Sequence, residues 1–355
     1  MRVLLAGAWQ YEMYENAFAR ALKQIGIHDC PFNLYAGHAG LVSKFEHKYS
    51  FYGINTRRSL RELTRACEDF RPDVLLIWLG AGVRSETLKS IKRSISTRIV
   101  GYVHDDPFAH LSHGLSPSHH RYHWSPFIKA LPIYDLVLFA KKLSADDALM
   151  HGAKATGVLP QYFVPWIHRH INLSDLELME FRCDIAFAGH FEPDGRDVSL
   201  LELAKAGLKI RLYKGGLWER SRIHRSRQLE QAGVFVGPAV RGDYYASALS
   251  GADVSLCFMS KMNRDPYTTR CFEIPACGSL LLSERTPELQ LLFNEDAEAV
   301  FFSSIDELVD KAKWLRSNPE LRACIAAAGQ RKVHAGCHSV LDRAAQFIDL
   351  VGHLC

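Results

Sequence analysis

A short segment in the second half of the sequence, Asn263 to Gly278, carries side chains suited to binding a nucleotide. The carboxylate of Glu273 can accept hydrogen bonds from both hydroxyls of a ribose. Arg270, one turn earlier, offers a fork of donors to phosphates, and the start of the helix predicted here adds backbone N–H groups. A charge pair between Arg270 and Glu273 is the alternative. The segment therefore predicts either a ribose and phosphate site or a local ion pair.

A second polar turn, Val103-His104-Asp105-Asp106-Pro107, follows a predicted strand in the first half. His104 could hydrogen-bond a sugar hydroxyl through either ring nitrogen. Asp105 or Asp106 could instead act as a general base, if the reaction inverts configuration. A structural histidine with satisfied hydrogen bonds is the alternative for His104. This turn is a candidate catalytic segment.

The elements that would position these turns alternate between apolar, β-rich runs and stretches of helical periodicity. This alternation predicts an α/β fold with parallel sheets covered by helices. Open sheets of this kind bind ligands beyond the carboxyl ends of their strands, where both polar turns lie. The predicted strands are residues 3–6, 74–78, 99–103 and 136–139 in the first half, and 185–188, 209–213, 234–236, 253–258 and 279–282 in the second.

The length of 355 residues exceeds what one hydrophobic core usually serves, so two domains are expected. Residues 158–171 contain Pro160 and Pro165 and lack clear periodicity, which is typical of an interdomain connection. We therefore assign residues 1–170 to a first domain, 171–338 to a second, and 339–355 to a C-terminal helix.

The sequence Arg270-Cys-Phe-Glu-Ile-Pro-Ala-Cys-Gly278 resembles the nucleotide-sugar motif of glycosyltransferase family 4 and, more closely, that of the CgeB-like (spore maturation protein B-like) glycosyltransferases. This resemblance implies a GT-B fold, in which two Rossmann-like domains with parallel sheets face each other across a cleft and the C-terminal helix crosses back to the first domain. Further matching segments follow in the family's order, namely Pro287-Glu288-Leu289, Asn318-Pro319, Ala327-Ala328-Gly329 and His338 to Arg343.

The resemblance also implies roles for individual residues. Glu273 would bind the ribose, and Asp265 falls where the family carries a first glutamate. His104 would contact the donor sugar. Arg196, after the strand and loop that contain Gly189, would stabilise the departing diphosphate, a task that suits a fixed guanidinium. A solvated loop arginine is the alternative for Arg196.

Strand-end turns complete the predicted donor site. Lys214 and Gly216 close one strand, where the backbone could approach the ligand and Lys214 could lie near phosphate. Gly237 resembles the turn that lines the nucleotide base, and Gly7 belongs to a loop that GT-B enzymes often use around the acceptor or sugar. A plain turn at Gly237 and a core position for Trp218, close to Gly216, are the alternatives.

Together these features predict a glycosyltransferase of the hexosyl type. It would move a sugar from a nucleoside diphosphate sugar, such as a UDP-sugar, to a hydroxyl of a glycan, lipid or small molecule, in surface glycan or glycoconjugate synthesis. The resemblance favours retention of configuration, while Asp105 and Asp106 keep inversion open. Neither a cofactor beyond the co-substrate nor a metal is expected. A nucleotide-sugar epimerase and a catalytically silent nucleotide- or glycan-binding protein stay open, the latter because of Asp265.

The overall composition excludes other function classes. A net charge of +4 with scattered basic residues offers no stripe for nucleic acid, although it leaves weak peripheral membrane contact open. Nine cysteines without a CxxC pair and a short apolar N-terminus predict a cytoplasmic protein with reduced thiols. Imidazoles are good zinc ligands, but the histidine-rich segment after His104 has the sequence of a loop, so no metal site is predicted. Its other histidines are His110, His113, His119, His120 and His123.

Overall fold

The chain forms two compact units. The computed structural model describes residues 1–36, 40–112, 119–215, 218 and 223–353. The first unit contains Met1–Gln161 and Val340–Cys355, and the second contains Tyr162–Ser339. Residues 162–170, which we assigned from sequence to the first domain, thus belong to the second unit.

The first unit is built on a six-stranded parallel sheet. Its strands are β1 (Arg2–Gly7), β2 (His28–Asn33), β3 (Val74–Trp78), β4 (Arg98–Val103), β5 (Leu136–Phe139) and β6 (Thr156–Val158). Their order across the sheet is β2-β1-β3-β4-β5-β6. Every residue of β3 and β5 is buried, which explains their uniformly apolar sequences, since helices cover both faces of a parallel sheet.

Helices connect these strands. They are α1 (Ala17–Gln24), α2 (Gly40–Tyr49), α3 (Ile54–Phe70), α4 (Ser85–Ser94), α5 (Ala109–Ser112), α6 (His120–Ala130) and α7 (Lys142–Met150), with a π-helical turn at Glu12–Asn16 and a 3-10 turn at Leu131–Ile133. The C-terminal helix, Val340–Gly352, packs on α1, where the Phe18 and Phe347 rings meet edge to face with centroids 5.7 Å apart.

The second unit repeats this architecture. Its parallel strands are β7 (Cys183–Gly189), β8 (Ile210–Lys214), β9 (Phe235–Gly237), β10 (Ala252–Cys257), β11 (Leu280–Glu284) and β12 (Val300–Phe302). Its helices include α8 (Asp175–Phe181), α9 (Arg196–Lys205), α10 (Ile223–Gln231), α11 (Gly242–Ser250), α12 (Arg270–Ala276), α13 (Pro287–Leu292), α14 (Ile305–Ser317) and α15 (Pro319–Ala335).

The strand order of the second sheet reverses between β7 and β10. From one edge to the other the order is β12-β11-β10-β7-β8-β9, so the chain runs outward from β7 on one side and outward from β10 on the other. At such a reversal the connections leave the sheet in opposite directions and open a crevice beyond the carboxyl ends of the two strands. The loops after β7 and β10 are therefore the place for a ligand.

The predicted α/β class with two parallel sheets is confirmed. The sequence prediction missed β2, β6 and β12. Strand β2 contains Pro31 and lies at a sheet edge, where a missing N–H is tolerated and exposed residues blur the apolar pattern. Strands β6 and β12 have three residues each, too few for a pattern to emerge.

Phe347→Ala is expected to lower the free energy of unfolding by about 3–5 kcal/mol, because it removes a fully buried ring and leaves a cavity against Phe18. Chemical denaturation followed by circular dichroism measures the change. Leu291→Ala, at a side chain that is 86% exposed, is the control and should stay within about 0.5 kcal/mol of wild type. Equal effects of the two substitutions would contradict the packing of the C-terminal helix.

Candidate functional site

The centre of the candidate site in the second unit is a buried carboxylate. Glu273 lies in α12, which follows β10 at the strand-order reversal, and the residue is only 3% exposed. The Tyr245 hydroxyl donates a 2.8 Å hydrogen bond to Oε2 of Glu273. The other carboxylate oxygen, Oε1, faces Nε2 of His168 at 3.7 Å. Glu273 is thus held between a phenol and an imidazole.

The hydrogen bonds of His168 define its tautomer. The backbone N–H of Val164 donates to Nδ1 of His168 at 2.9 Å, so the neutral ring carries its hydrogen on Nε2. That hydrogen is directed toward Glu273. Burial lowers the pKa of His168 although the Glu273 carboxylate opposes this shift, and burial raises the pKa of Tyr245 well above its usual value. The Tyr245 hydroxyl therefore donates to Glu273, whereas the neutral His168 ring faces Glu273 from 3.7 Å without a hydrogen bond. The sequence analysis missed both residues.

Arg270 lies among buried groups near Glu273. Burial lowers the pKa of its guanidinium, but Cys257, Tyr245 and Glu273 more than offset this, and the pKa stays raised. A hydrogen bond from Cys271 lowers the pKa of Cys257 against the effect of burial, with a further contribution from the charge of Arg270. Nε of Arg270 is buried without a hydrogen-bond partner among the described residues. The guanidinium thus interacts with more groups than Glu273 alone.

Arg196, at the start of α9, is buried and already bound to acidic groups. Its Nε and Nη2 donate to the Asp194 carboxylate at 2.9 and 2.6 Å, and its Nη1 donates to the His190 carbonyl at 2.7 Å. Glu192 lies 3.4 Å away from Nη2. The alternative of a solvated loop arginine is wrong, since Arg196 is 3% exposed. A diphosphate would have to share this guanidinium with Asp194.

Lys214, unlike Arg196, has no acidic partner among the described residues. It is half-buried at the end of β8, in register with Gly189 of β7, and it forms no ion pair within the described part of the chain. Its ammonium therefore remains able to meet an anion near the carboxyl ends of the two strands. Gly216, predicted beside it, lies outside the described residues.

The strand-end glycines make room for neighbouring aromatic rings. A Cβ on Gly189 would lie 2.8 Å from the Phe187 ring, and one on Gly237 would lie 2.7 Å from the Phe235 ring. Trp218 is buried and donates a 2.9 Å hydrogen bond from Nε1 to the Gly189 carbonyl, as expected of a core residue. Gly189 thus has a packing reason that is independent of any ligand, because Phe187 is buried, whereas the Phe235 ring beside Gly237 is 48% exposed and has room to shift.

Asp265 lies in the loop between β10 and α12. It is half-buried, its backbone N–H bonds to the Ser260 carbonyl at 3.0 Å, and Nδ2 of Asn263 donates to its carboxylate at 2.7 Å. Arg264, directly before it, has a positive φ of 48°, which marks a tight turn. The acid predicted to replace the first family glutamate thus takes part in the local structure of this turn.

In the first unit, His104 lies at the carboxyl end of β4. It is buried and stacks on Tyr14, with ring centroids 4.6 Å apart. Nδ1 of His104 is buried and has no hydrogen-bond partner among the described residues, so the alternative of a fully satisfied histidine is wrong. Burial lowers the pKa of His104, while the charges of Asp105 and Glu15 act to raise it. The neutral imidazole can accept from or donate to a ligand hydroxyl.

The two aspartates after His104 differ in environment. Asp106 is fully buried, and its Oδ1 accepts the backbone N–H of Phe108 at 2.9 Å, which stabilises the turn. Asp105 is partly exposed. Of the two, Asp105 is the better placed to exchange a proton with a substrate, because the carboxylate of Asp106 is already used inside the fold.

Gly7 lies against a buried acid, Glu15, which the sequence analysis missed. A Cβ on Gly7 would lie 2.4 Å from Oε1 of Glu15, and the same oxygen accepts the Ala8 backbone N–H at 2.7 Å. Glu15 belongs to the π-helical turn Glu12–Asn16. The sequence signal was weak, because a lone glutamate in a polar stretch usually faces water.

Residues 196–349 match the profile of a protein family described as glycosyl transferase-like. Sucrose-phosphate synthase from Thermosynechococcus elongatus has a similar structure, with a TM-score of 0.73, 12% identity and coverage of 100% of this chain and 99% of that chain. HepE from Anabaena, in complex with UDP and glucose, gives a TM-score of 0.70 at 12% identity, covering 99% of this chain and 100% of that one. A Rickettsia africae glycosyltransferase gives 0.68 at 10% identity, with 99% and 98% covered. The chain has the GT-B fold. No curated protein matches its sequence.

The profile match covers the part of the GT-B chain with the buried carboxylate. Arg196, Lys214, Asp265, Arg270 and Glu273 all lie within it, whereas Gly7, His104 and Gly189 precede it. Because fold alone does not define an activity, this match is the stronger functional observation. Together they support a glycosyltransferase-type function.

Histidines of the histidine-rich segment contact one another or a nearby backbone carbonyl. Nδ1 of His110 and Nδ1 of His120 are 3.2 Å apart, and Nδ1 of His123 lies 3.1 Å from the His47 carbonyl. Burial lowers the pKa of His123 to about 4. His113 lies outside the described residues, and no group of three or more metal-ligating side chains occurs within them.

Within the same residues, no helix is both long and apolar enough to cross a membrane.

His168→Gln is expected to make the folded protein less sensitive to acid. The folded-state pKa of His168 lies below its ordinary value of 6.5, so the stability tied to the neutral ring is present above that value and is lost as the pH falls below it. Glutamine keeps an N–H group at this position and does not titrate. The free energy of unfolding should therefore fall less between about pH 7.5 and 5.5 than in wild type.

Chemical denaturation at several pH values measures this slope. His353→Gln replaces an exposed histidine and serves as the control, whose curve should follow that of wild type. Parallel curves for wild type and His168→Gln would show that His168 titrates normally.

Proposed function

We propose that the protein transfers a hexosyl group from a nucleoside diphosphate sugar to an acceptor hydroxyl, with Glu273 accepting the ribose hydroxyls. The observation that carries this proposal is the buried Glu273 carboxylate, held by Tyr245 and His168 at the strand-order reversal. An ionised carboxylate has about four lone-pair sites. Tyr245 uses one of them and His168 faces the other oxygen from 3.7 Å, so acceptor capacity remains for the two hydroxyls of a ribose.

Uridine is the base that we propose first. The similar HepE structures are in complex with UDP, with UDP and glucose, and with UDP-glucose. A diphosphate beside the ribose would require positive charge. Lys214 forms no ion pair with a described residue, and Arg270 would add donors through its unpartnered Nε. Arg196 would stabilise the leaving phosphate from its fixed position on Asp194. We propose that these side chains serve without a metal.

For the chemical step, we propose that His104 contacts the donor sugar through its buried, unpartnered Nδ1. Retention remains our expectation for the stereochemistry, on the resemblance to CgeB-like and family 4 enzymes. If the enzyme inverts instead, Asp105 is the candidate general base, because Asp106 is committed to the turn. The acceptor is a glycan, a lipid or a small molecule.

A second candidate, a nucleotide-binding protein without transfer, is favoured by one observation. Asp194 and Glu192 surround Arg196 and reduce the positive charge that a leaving diphosphate would encounter. Such a protein would bind UDP-glucose but leave it intact with every acceptor. An epimerase would instead return the donor as an isomer without any acceptor.

Glu273→Ala is expected to weaken UDP binding at least tenfold, about 1.4 kcal/mol, because it removes the acceptor for both ribose hydroxyls. Wild type should bind 2′,3′-dideoxy-UDP as weakly as the variant binds UDP, and the variant should no longer distinguish the two ligands. Isothermal titration calorimetry measures all four affinities. Asp310→Ala, at an exposed carboxylate of α14, is the control and should bind UDP like wild type.

If Glu273→Ala still bound UDP more tightly than the dideoxy ligand, by the same factor as wild type, Glu273 would not be the residue that binds the ribose hydroxyls. Absence of nucleotide binding by wild type, with UDP, GDP and dTDP all tested, would reject the donor site altogether.

His104→Ala is expected to weaken UDP-glucose binding about fivefold and to leave UDP binding unchanged, because a hydrogen bond to a sugar hydroxyl contributes about 1 kcal/mol. The comparison of the two ligands by calorimetry isolates the sugar contact. His353→Ala, an exposed histidine far along the chain, should affect neither ligand. Equal losses for UDP and UDP-glucose would show that His104 does not act at the sugar.

A further inference from the structure

Helix α2 is arranged with its polar side inward. Its buried residues are Ser43 and Glu46, whereas Leu41, Val42 and Phe45 are exposed, Leu41 to 84% and Phe45 to 51%. A surface helix of a globular protein normally buries its apolar stripe. The outward apolar side of α2 therefore has no role in the core of its own unit.

The inward polar side has a clear structural reason. The Glu46 carboxylate caps the start of α3, where it accepts the Thr56 backbone N–H at 2.8 Å and the Thr56 hydroxyl at 2.9 Å. Asn55 donates from Nδ2 to the Ser43 hydroxyl at 3.1 Å. Gly53 leaves the space for this contact, because a Cβ there would lie 2.1 Å from Oε1 of Glu46. These bonds fix the rotation of α2 about its axis, and its apolar residues must then face out.

The exposed apolar surface continues beyond the helix. Phe51, Tyr52 and Ile54 follow in the next five residues and are all exposed, and the Phe45 and Phe51 rings lie 5.8 Å apart. We call this surface the α2 patch; it consists of Leu41, Val42, Phe45, Phe51, Tyr52 and Ile54. Contiguous exposed apolar residues of this number mark an interaction surface rather than ordinary scatter.

The charges around the α2 patch are mainly basic. Between Gly40 and Arg61, all of which the structure describes, every exposed charged side chain is basic, and the one acid, Glu46, is buried in the cap. The next residue, Glu62, pairs with Arg58 at 2.8 Å, so Arg58 contributes little net charge. Arg57 also lies over the Tyr52 ring, 4.9 Å from its centroid. The exposed basic residues are Lys44, Lys48, Arg57, Arg58 and Arg61.

We propose that the α2 patch and its basic rim dock the protein on an anionic lipid bilayer. Exposed apolar and aromatic side chains enter the boundary between headgroups and acyl chains, while lysines and arginines meet anionic headgroups, and this pairing is the known chemistry of interfacial helices. A protein partner would need an apolar centre with an acidic rim of matching shape, whereas an anionic bilayer needs no matching shape. The bilayer supplies both complements at once.

Helix α8 provides a matched contrast within the chain. Leu176 and Met179 are each 79% exposed there, but Asp175, Glu177 and Glu180 surround them. An anionic surface would repel this helix, although it too exposes large apolar side chains. The comparison separates apolar exposure alone from apolar exposure with a basic rim.

The test is cosedimentation of the full chain with vesicles of phosphatidylcholine, with and without phosphatidylglycerol. Wild type should bind the vesicles that contain phosphatidylglycerol, and added salt should weaken this binding. Lys44→Glu/Lys48→Glu and Leu41→Ser/Phe45→Ser should each lower the affinity at least about tenfold, since both the charge and the apolar insertion contribute. Leu176→Ser/Met179→Ser is the control and should bind like wild type.

Thermal unfolding of each variant verifies that these exposed substitutions leave the fold intact. No binding of wild type to the phosphatidylglycerol vesicles would overturn the proposal. It would also be overturned if Leu41→Ser/Phe45→Ser bound as well as wild type, because the surface would then act through charge alone, as on any polyanion. Because the readout is sedimentation, it does not depend on donor binding or on transfer activity.

Discussion

An ionised carboxylate inside a protein is stable only when hydrogen-bond donors replace the water that it has lost, and this constraint shapes the GT-B chain at its candidate site. Glu273 obtains one donor from Tyr245 on α11, and the neutral ring of His168, in the segment before α8, faces its other oxygen from 3.7 Å. Neither neighbour is charged, and the charge that acts on Glu273 comes from Arg270 nearby. A site that must still attract hydroxyl groups benefits from such an arrangement, because lone pairs of the carboxylate stay available to a ligand.

Arg196, on the other side of the same strand-order reversal, is instead paired with oppositely charged groups. Its charge is buried too, but Asp194 supplies a full carboxylate partner and Glu192 a second one nearby. Removing one member of a buried pair leaves the other charge uncompensated, so these three residues depend on one another. The guanidinium is held rigidly, and the two carboxylates offset much of its charge. The phosphate contact proposed for Arg196 would therefore need additional positive charge from Lys214 and Arg270, which lie on the two sides of the reversal.

The sequence was sufficient for what depends on local pattern and insufficient for what depends on distant contacts. The buried strands β3 and β5 are uniformly apolar, and their prediction needed nothing else. The partners of Glu273 could not be foreseen, because Tyr245 is 28 residues away and His168 much farther in sequence. Strand β2 was not predicted, because its position at the edge of the sheet permits Pro31 and exposed residues, which obscure the apolar pattern of a buried strand.

Glycines illustrate the same limit. Gly7, Gly189 and Gly237 follow or end strands, as ligand-contacting glycines do, and sequence alone favoured a ligand. In the structure each has a neighbour that a Cβ would strike, namely a carboxylate at Gly7 and aromatic rings at the other two. An absent side chain shows that space is needed, but only the fold tells which atom takes the space.

A buried acid also determines what remains on the surface. Glu46 caps α3 from the inner side of α2, and Glu15 bonds the Ala8 backbone N–H beside Gly7. In each case a polar side chain has been drawn inward to satisfy backbone donors, so the amphipathic pattern of the local sequence no longer identifies the side that faces the core. For α2 the consequence is large, because its apolar residues are then turned outward as a group. Their exposure follows from the cap at α3, and the excess of exposed basic residues around them makes an anionic bilayer the complement that matches both properties.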